Sequence, residues 1–426
     1  MFTFNPFFSV TIIYWALMLT DGALRMLILL HLHQQGYSPF TLAYIFLLYE
    51  FMGILTNFTA GRLGKRFGLS TLLITGVCLQ IISLLALGLI PTQVETASTI
   101  ILLIIFQGIC GIAKDLTKIG SKTATKFLSN SEKGGSLFTN ISWLTGSKNS
   151  VKGLGFFLGA TLISFLSFST CLFILSALLF FFLCMFLKSI LISDVLSNKS
   201  NKSGKVAAIS ANLQINKLSV SRVFLFGARD IWFVIGVPIF LLEAFSTNYF
   251  GDVSSDARFF LVGGFLATWV VFYGFMQSRV PRFIRQNAIK PIEKIAFRWS
   301  IVLIFPTLVL SIISLTFDKS VALIDIVIVV TFLFIFGVFF AINSSIHSYL
   351  ILKLTKKENA SENVGFYYSA NALGRFIGTL LSGITFQLGG LFLCLFITTL
   401  FLIASSFFIK SLSKERQELE LSLIHI

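Results

Sequence analysis

The feature that most constrains this chain is a succession of apolar stretches, each of a length that suits a lipid bilayer. A helix needs roughly 20 mostly apolar residues to cross the hydrocarbon core. Stretches of that kind fall at 8–32, 40–61, 69–91, 98–119, 137–163 and 168–189, and again at 220–244, 257–279, 297–316, 322–351, 362–386 and 389–410. Only 12% of the 426 residues are charged, against 56% hydrophobic, too few to clothe a soluble globular surface. With 49 phenylalanines the chain is no disordered or fibrous polymer either. The pattern predicts an all-α polytopic membrane protein with twelve transmembrane helices. Charge weakens the fourth and fifth.

A polar interruption from Ser193 to Leu218, carrying Lys199, Lys202, Lys205 and Lys217, divides the spans six and six. The expected organisation is a six-helix bundle over 1–189, a flexible linker over 190–219, a second bundle over 220–410 and a tail over 411–426. Of the 33 Lys and Arg residues, seven lie in or near spans and two, Arg258 and Lys319, lie on one side. The remaining 24 lie on the other side, which also holds both termini. By the positive-inside rule that side is cytoplasmic, and the expected location is the cell (inner) membrane. The net charge of +15 is thus mainly a topology signal and does not point to nucleic acid. The start Met1 to Val10 has no basic n-region and predicts a retained first span. Cys78, Cys110, Cys171, Cys184 and Cys394 have no metal-ligand spacing and read as packing groups, so neither metal nor cofactor is expected.

Charges inside the spans point to chemistry. Seven cations (Arg25, Lys114, Lys148, Lys152, Arg222, Arg229 and Arg375) accompany four acids, Asp21, Glu50, Asp115 and Asp230. Ions in hydrocarbon cost several kcal/mol unless they pair or line a watery cavity. Three positive charges are left over, and an anionic ligand is the simplest way to offset them. Asp21 and Arg25 stand one turn apart on one helix face, able to pair with each other or to split between cavity and neighbour. Lys114, Lys118, Lys122 and Lys126 form a basic stripe whose outer members snorkel to the interface. Asp115, adjacent to Lys114, is expected to point elsewhere. Lys148 and Lys152 share a face with no acid nearby on their own helix, so something anionic must face them.

In the second half, Arg229 offers a planar fork for paired oxygens. Asp230 positions a helix or neutralises a basic neighbour, and Pro238 introduces a bend. Arg375 follows Asn371 by one turn, and Asn343 and His347 are similarly spaced; all four either line the cavity or bond between helices. The expected anion contacts are Arg25, Lys114, Lys148, Lys152, Arg229, Arg375 and Asn371. Asp21, Glu50 and Asp230 are candidates for proton coupling. The run Gly61–Gly68 reads as a tight basic turn, without the strand that a nucleotide loop requires.

Several polar-in-apolar blocks carry a family resemblance: YWALMLTDGALRML (14–27), GYSP (36–39), GIAKDLTK (111–118), LTGSKNSVKGLGFFLG (144–159) and RVFLFGARDIWFV (222–234). Over practically its whole length the chain resembles major facilitator superfamily transporters, and more closely their organoarsenical efflux permeases. The turn after the second span departs from the superfamily pattern. Lys65 stands where aspartate is usual, so a gating scheme that relies on that acid does not carry over.

The resemblance implies two six-helix bundles working by alternating access, and export of 1-arseno-3-phosphoglycerate made by glyceraldehyde-3-phosphate dehydrogenase. That pairing would confer arsenate resistance. Besides the bilayer and this enzyme no partner is implied, and a monomer suffices. An exporter of another phosphorylated metabolite or organic anion fits the residues too. A membrane enzyme holding a lipid phosphate, or a non-transporting receptor, fits them less well.

Overall fold

The computed structural model describes residues 6–90, 97–128, 134–190, 212–246, 254–285, 292–317, 321–355 and 360–424. Among these every regular element is helical. The helices are α1 (Pro6–Gln34), α2 (Pro39–Phe67), α3 (Leu69–Leu89), α4 (Ala97–Leu128), α5 (Gly134–Phe165) and α6 (Phe168–Ile190). They are followed by α7 (Leu213–Ile231), α8 (Val237–Ala244), α9 (Ser255–Arg285), α10 (Ile292–Ser314), α11 (Leu323–Leu354) and α12 (Ala360–Ile424). Ten segments of the described residues are long and apolar enough to cross a membrane. The last of them runs over 48 residues and is interrupted by non-helical Gly389 and Gly390. Gly390 has φ 59° and ψ −151°, a backbone that only glycine adopts readily. Helix α5 has the length, 32 residues, but Lys148 and Lys152 dilute its apolar character. With α5 included and α12 taken as two arms, the tally agrees with the twelve expected spans.

Two departures from the sequence reading concern helix ends. The basic run after the second span is no turn: α2 continues through Phe67, and Gly68 at φ 89° alone joins it to α3. The seventh span starts earlier than expected, at Leu213, because the Asn212 side chain accepts from the Gln214 backbone N–H and caps it. The linker residues 191–211, and the side chain of Lys126, lie outside the described residues.

The bend expected at Pro238 takes a specific form. Helices α7 and α8 are joined by a π-helical turn, Trp232–Gly236, directly before the proline. A wider turn frees backbone groups from their usual partners. Here Ser382 Oγ of α12 accepts from the backbone N–H groups of Ile235 (3.1 Å) and Gly236 (3.2 Å).

By compactness the chain divides into Met1–Lys205 with Phe250–Ser278, and Val206–Tyr249 with Arg279–Ile426. The first unit has a core of α1, α3 and α6 side chains, among them Tyr14, Leu17, Val77, Leu179 and Leu183. The second has Leu218, Ala296, Ile346, Leu350, Tyr367 and Ile409. Exposed residues such as Leu89, Phe305 and Phe407 are apolar as well, as a lipid-facing surface requires.

Because lipid is as apolar as leucine, helices in a bilayer associate through close packing and small residues. In the first unit Gly155 and Gly159 of α5 press on α1. A Cβ at these positions would lie 2.2 Å from the Leu19 carbonyl and 2.4 Å from that of Ala23. In the second unit Gly374 and Gly378 of α12 press on α7 in the same way, 2.2 Å from the Val223 carbonyl and 2.6 Å from that of Gly227. Both seams repeat every four residues, one helical turn.

Candidate functional site

The seams place charged side chains in register. Arg25 stands two residues beyond Ala23, and Arg229 two beyond Gly227, so the two arginines occupy equivalent positions on α1 and α7. Lys152 and Asn371 likewise each precede a seam glycine by three.

In the first unit a buried ionic network joins α1, α2, α4 and α5. Lys152 pairs with Asp21, and the Tyr49 hydroxyl donates to the same carboxylate. Arg25 pairs with Glu50 at 2.7 Å. Lys114 lies 3.7 Å from Glu50 and 3.5 Å from Asp115, which also holds Lys118. The three carboxylates are at most 2% exposed, and Lys114 is 6% exposed. The Tyr49 ring carries two of the cations, with Arg25 at 5.0 Å and Lys114 at 4.0 Å from its centroid.

The second unit builds a smaller cluster from α7, α11 and α12. Asp230 accepts from Arg229 Nε at 2.6 Å and from Arg375 Nε at 3.0 Å. Arg222 donates to the Asn371 side-chain oxygen at 2.9 Å and to the Ser344 carbonyl at 3.1 Å. The Phe226 ring lies beside both α7 arginines, 3.9 Å from Arg222 and 5.0 Å from Arg229.

Several expectations are amended by this geometry. Of the two arrangements open to Asp21 and Arg25, the described ion pairs show each with a partner on another helix, Lys152 and Glu50. The anion expected to face Lys152 is supplied by the protein, as Asp21 reaches it from α1. Lys148 is half-buried on the same helix. Asp115 does not point away from Lys114, because a long lysine side chain reaches around to its neighbour's carboxylate. Asp230 neutralises two arginines rather than one. Asn343 takes the structural role: its side-chain nitrogen donates to the Trp299 carbonyl of α10 and to the Phe339 carbonyl, both at 2.9 Å.

Tyr49 and Phe226 were not singled out from the sequence, since an aromatic in an apolar run has no distinguishing mark. For Tyr49 the available signal is its place beside Glu50, the lone acid in the second span. Among the described residues no group of His, Cys, Asp and Glu could hold a metal ion.

Over the ion pairs of the described residues, the two clusters set Arg25, Lys114, Lys118 and Lys152 against three carboxylates, and Arg229 and Arg375 against one. Each has more cations than anions in a setting where desolvated charge is expensive. Oxyanions are the ligands such donors suit.

A profile of the Major Facilitator Superfamily matches residues 7–379. No curated protein sequence matches the chain significantly. Among solved structures, a POT family transporter in complex with 5-aminolevulinic acid superposes with TM-score 0.73 at 13% identity, covering 96% of each chain. The nucleoside transporter NupG gives 0.69 at 13% identity, over 96% of this chain and 99% of its own. A bacterial homologue of the iron transporter ferroportin, outward-facing, gives 0.70 at 12%, over 96% of this chain and 100% of its own. At such identities these likenesses concern the fold alone.

Proposed function

This chain belongs to the Major Facilitator Superfamily and is a multi-pass membrane transporter rather than an enzyme; on that premise we propose that its cargo is an organoarsenical anion, 1-arseno-3-phosphoglycerate, exported from the cytoplasm. The observation that carries this reading is that, in the ion pairs of both clusters, wholly or partly buried cations outnumber the carboxylates. A ligand with a phosphoryl group at one end and an arsenyl group at the other suits donors of this kind. The sequence blocks at 14–27, 111–118, 144–159 and 222–234 favour the arsenical within the class of organic anions.

In this proposal Arg25, Lys114, Lys148 and Lys152 from the first half, and Arg229, Arg375 and Asn371 from the second, bind the anion. Asp21, Glu50 and Asp230 hold those cations while the ligand is away and are the groups through which protons would couple. The two bundles by chain order, 1–189 and 220–410, alternate access around the ligand. Both termini lie in the cytoplasm, and the membrane is the cell (inner) membrane. Glyceraldehyde-3-phosphate dehydrogenase supplies the cargo, and its removal confers arsenate resistance.

Everted vesicles, with the cytoplasmic face outward, test the reading directly. They are supplied with arsenate, glyceraldehyde 3-phosphate, NAD and the dehydrogenase, and trapped arsenic is followed. The expected result is accumulation that needs both the transporter and the enzyme, and that is lost in Lys148→Ala and Arg229→Ala variants still inserted in the membrane. Absence of accumulation with folded wild-type protein rules the arsenical out. Stronger competition by another phosphorylated metabolite would make that metabolite the cargo.

A further inference from the structure

Between α3 and α4 of the first unit lies a set of polar side chains that the ionic network does not use. Gln80 and Ser83 of α3 and Cys110 of α4 are wholly buried, and Gln107 of α4 is 2% exposed. Among the described residues neither the nitrogen nor the oxygen of the Gln80 side chain has a hydrogen-bond partner. The same holds for the Ser83 hydroxyl and for the Gln107 side-chain nitrogen. Lipid offers no partner either, so a polar group left unmet here keeps the full penalty of its desolvation. Buried polar groups escape that penalty through protein partners or through ordered water.

Glycine contacts set the register of the two helices. A Cβ at Gly120 would lie 3.1 Å from the Leu73 side chain. One at Gly76 would lie 2.8 Å from the Ala113 carbonyl and 2.3 Å from Thr117 Oγ1. The helices therefore run antiparallel, and each turn forward on α3 meets a turn back on α4. Gln80, one turn beyond Gly76, falls opposite Cys110, one turn before Ala113. Ser83 falls opposite the turn that holds Gln107. Gln107 is also in line with Lys114, seven residues on, so these side chains stand on the flank of α4 that carries the ionic network. Toward the α3 C-terminus Leu84, Leu87 and Leu103 are buried, and at the other end Gly76 closes directly on α4.

The donor and acceptor inventory chooses the ligand. An anion would take the amide and hydroxyl hydrogens and leave the Gln80 carbonyl oxygen unmet. A cation would do the reverse. Exchanging the oxygen and nitrogen of the Gln80 amide alters nothing, since both ends are unmet. A ligand that donates and accepts at once serves every one of these atoms, and the small neutral molecule that does so is water. We propose that Gln80, Ser83 and Gln107 hold ordered water, a hydration site between α3 and α4 behind the ionic network, with Cys110 at its edge. The site is independent of the cargo's identity.

Hydroxyl-radical footprinting by X-ray pulses, on the full-length protein in nanodiscs, decides the matter. Radiolysis of a bound water makes the radical where that water sits, so a buried thiol beside it is oxidised although bulk solvent does not reach it. Cys110 is the reporter. Cys394, equally buried but set against Thr385 and Ser382, is the comparison. In wild type Cys110 is expected to oxidise several-fold faster than Cys394. Gln80→Leu together with Gln107→Leu should bring Cys110 down to the Cys394 rate. Ser83→Ala removes a single oxygen and should lower the Cys110 rate in part, which keeps the test open if the double variant does not fold. Equal wild-type rates at the two cysteines overturn the site, as does a Cys110 rate that neither variant lowers. A Cys110 rate that changes with the chloride or sodium content of the buffer gives the place to an ion and overturns the assignment to water.

Discussion

At the scale of single residues, Asp230 and Tyr49 give the sharpest expectations. Asp230 is 1% exposed and its two arginine partners are 16% and 17% exposed. Removing one member of a buried ionic group costs about 3–5 kcal/mol, since the partner charges stay behind. Asp230→Ala should therefore lower the thermal midpoint in detergent markedly, and millimolar 3-phosphoglycerate should restore part of it by standing in for the carboxylate. Tyr49 separates two roles in one side chain. Tyr49→Phe removes the donor to Asp21 and should weaken anion binding only a few-fold, the worth of a hydrogen bond of about 1 kcal/mol. Tyr49→Leu also removes the ring that carries Arg25 and Lys114, and should weaken binding by a further few-fold; equal effects of the two variants would show that the ring contacts contribute nothing. The sequence made the seven cations and four acids visible, because a charge in an apolar run is conspicuous. Their partners were hidden: Lys152 finds Asp21 across 131 residues, and Arg25 finds Glu50 across 25. Pairing of that kind depends on which helices touch, and periodicity along one helix has no bearing on it.

At the scale of elements, the glycine seams permit a comparison between substitutions that look alike. Gly155→Ala would put a methyl 2.2 Å from a carbonyl oxygen of α1, backbone against backbone. No rotamer change relieves that clash, so α1 and α5 must part, at a cost of about 1–3 kcal/mol or more. Gly264→Ala on α9 meets only the Phe157 ring at 3.9 Å, an ordinary contact, and should be neutral. Yield of folded protein and melting temperature would separate the two, and indifference to Gly155→Ala would dismiss the seam. Helix limits were largely legible, since they follow the apolar runs. The break between the last two spans falls at Gly389 and Gly390, where the expected segments meet. The errors have local causes: a cap at Asn212 lengthened α7, and the basic residues after the second span proved compatible with a helix that Gly68 alone ends. The π-turn before Pro238 leaves no mark in the sequence beyond the proline itself.

At the scale of the whole molecule, the proposed transport moves negative charge outward. An inside-negative potential favours each exported charge by about 2.3 kcal/mol per 100 mV. In vesicles with a potassium diffusion potential, the initial rate of arsenical transport should rise when the cytoplasmic face is made negative and fall when it is made positive. A rate blind to the potential would mean that compensating charge travels with the anion. The seams decide how such compensation can arise. Backbone packed this closely on backbone leaves little room to slide, so in the proposed cycle α1 with α5, and α7 with α12, are expected to move together. Asp21 and Lys152 stand on opposite sides of one seam, Asp230 and Arg375 on opposite sides of the other. In the proposed cycle a rival charge, a proton on the carboxylate or an oxyanion on the cation, releases them, so chemistry at the pair comes before the swing.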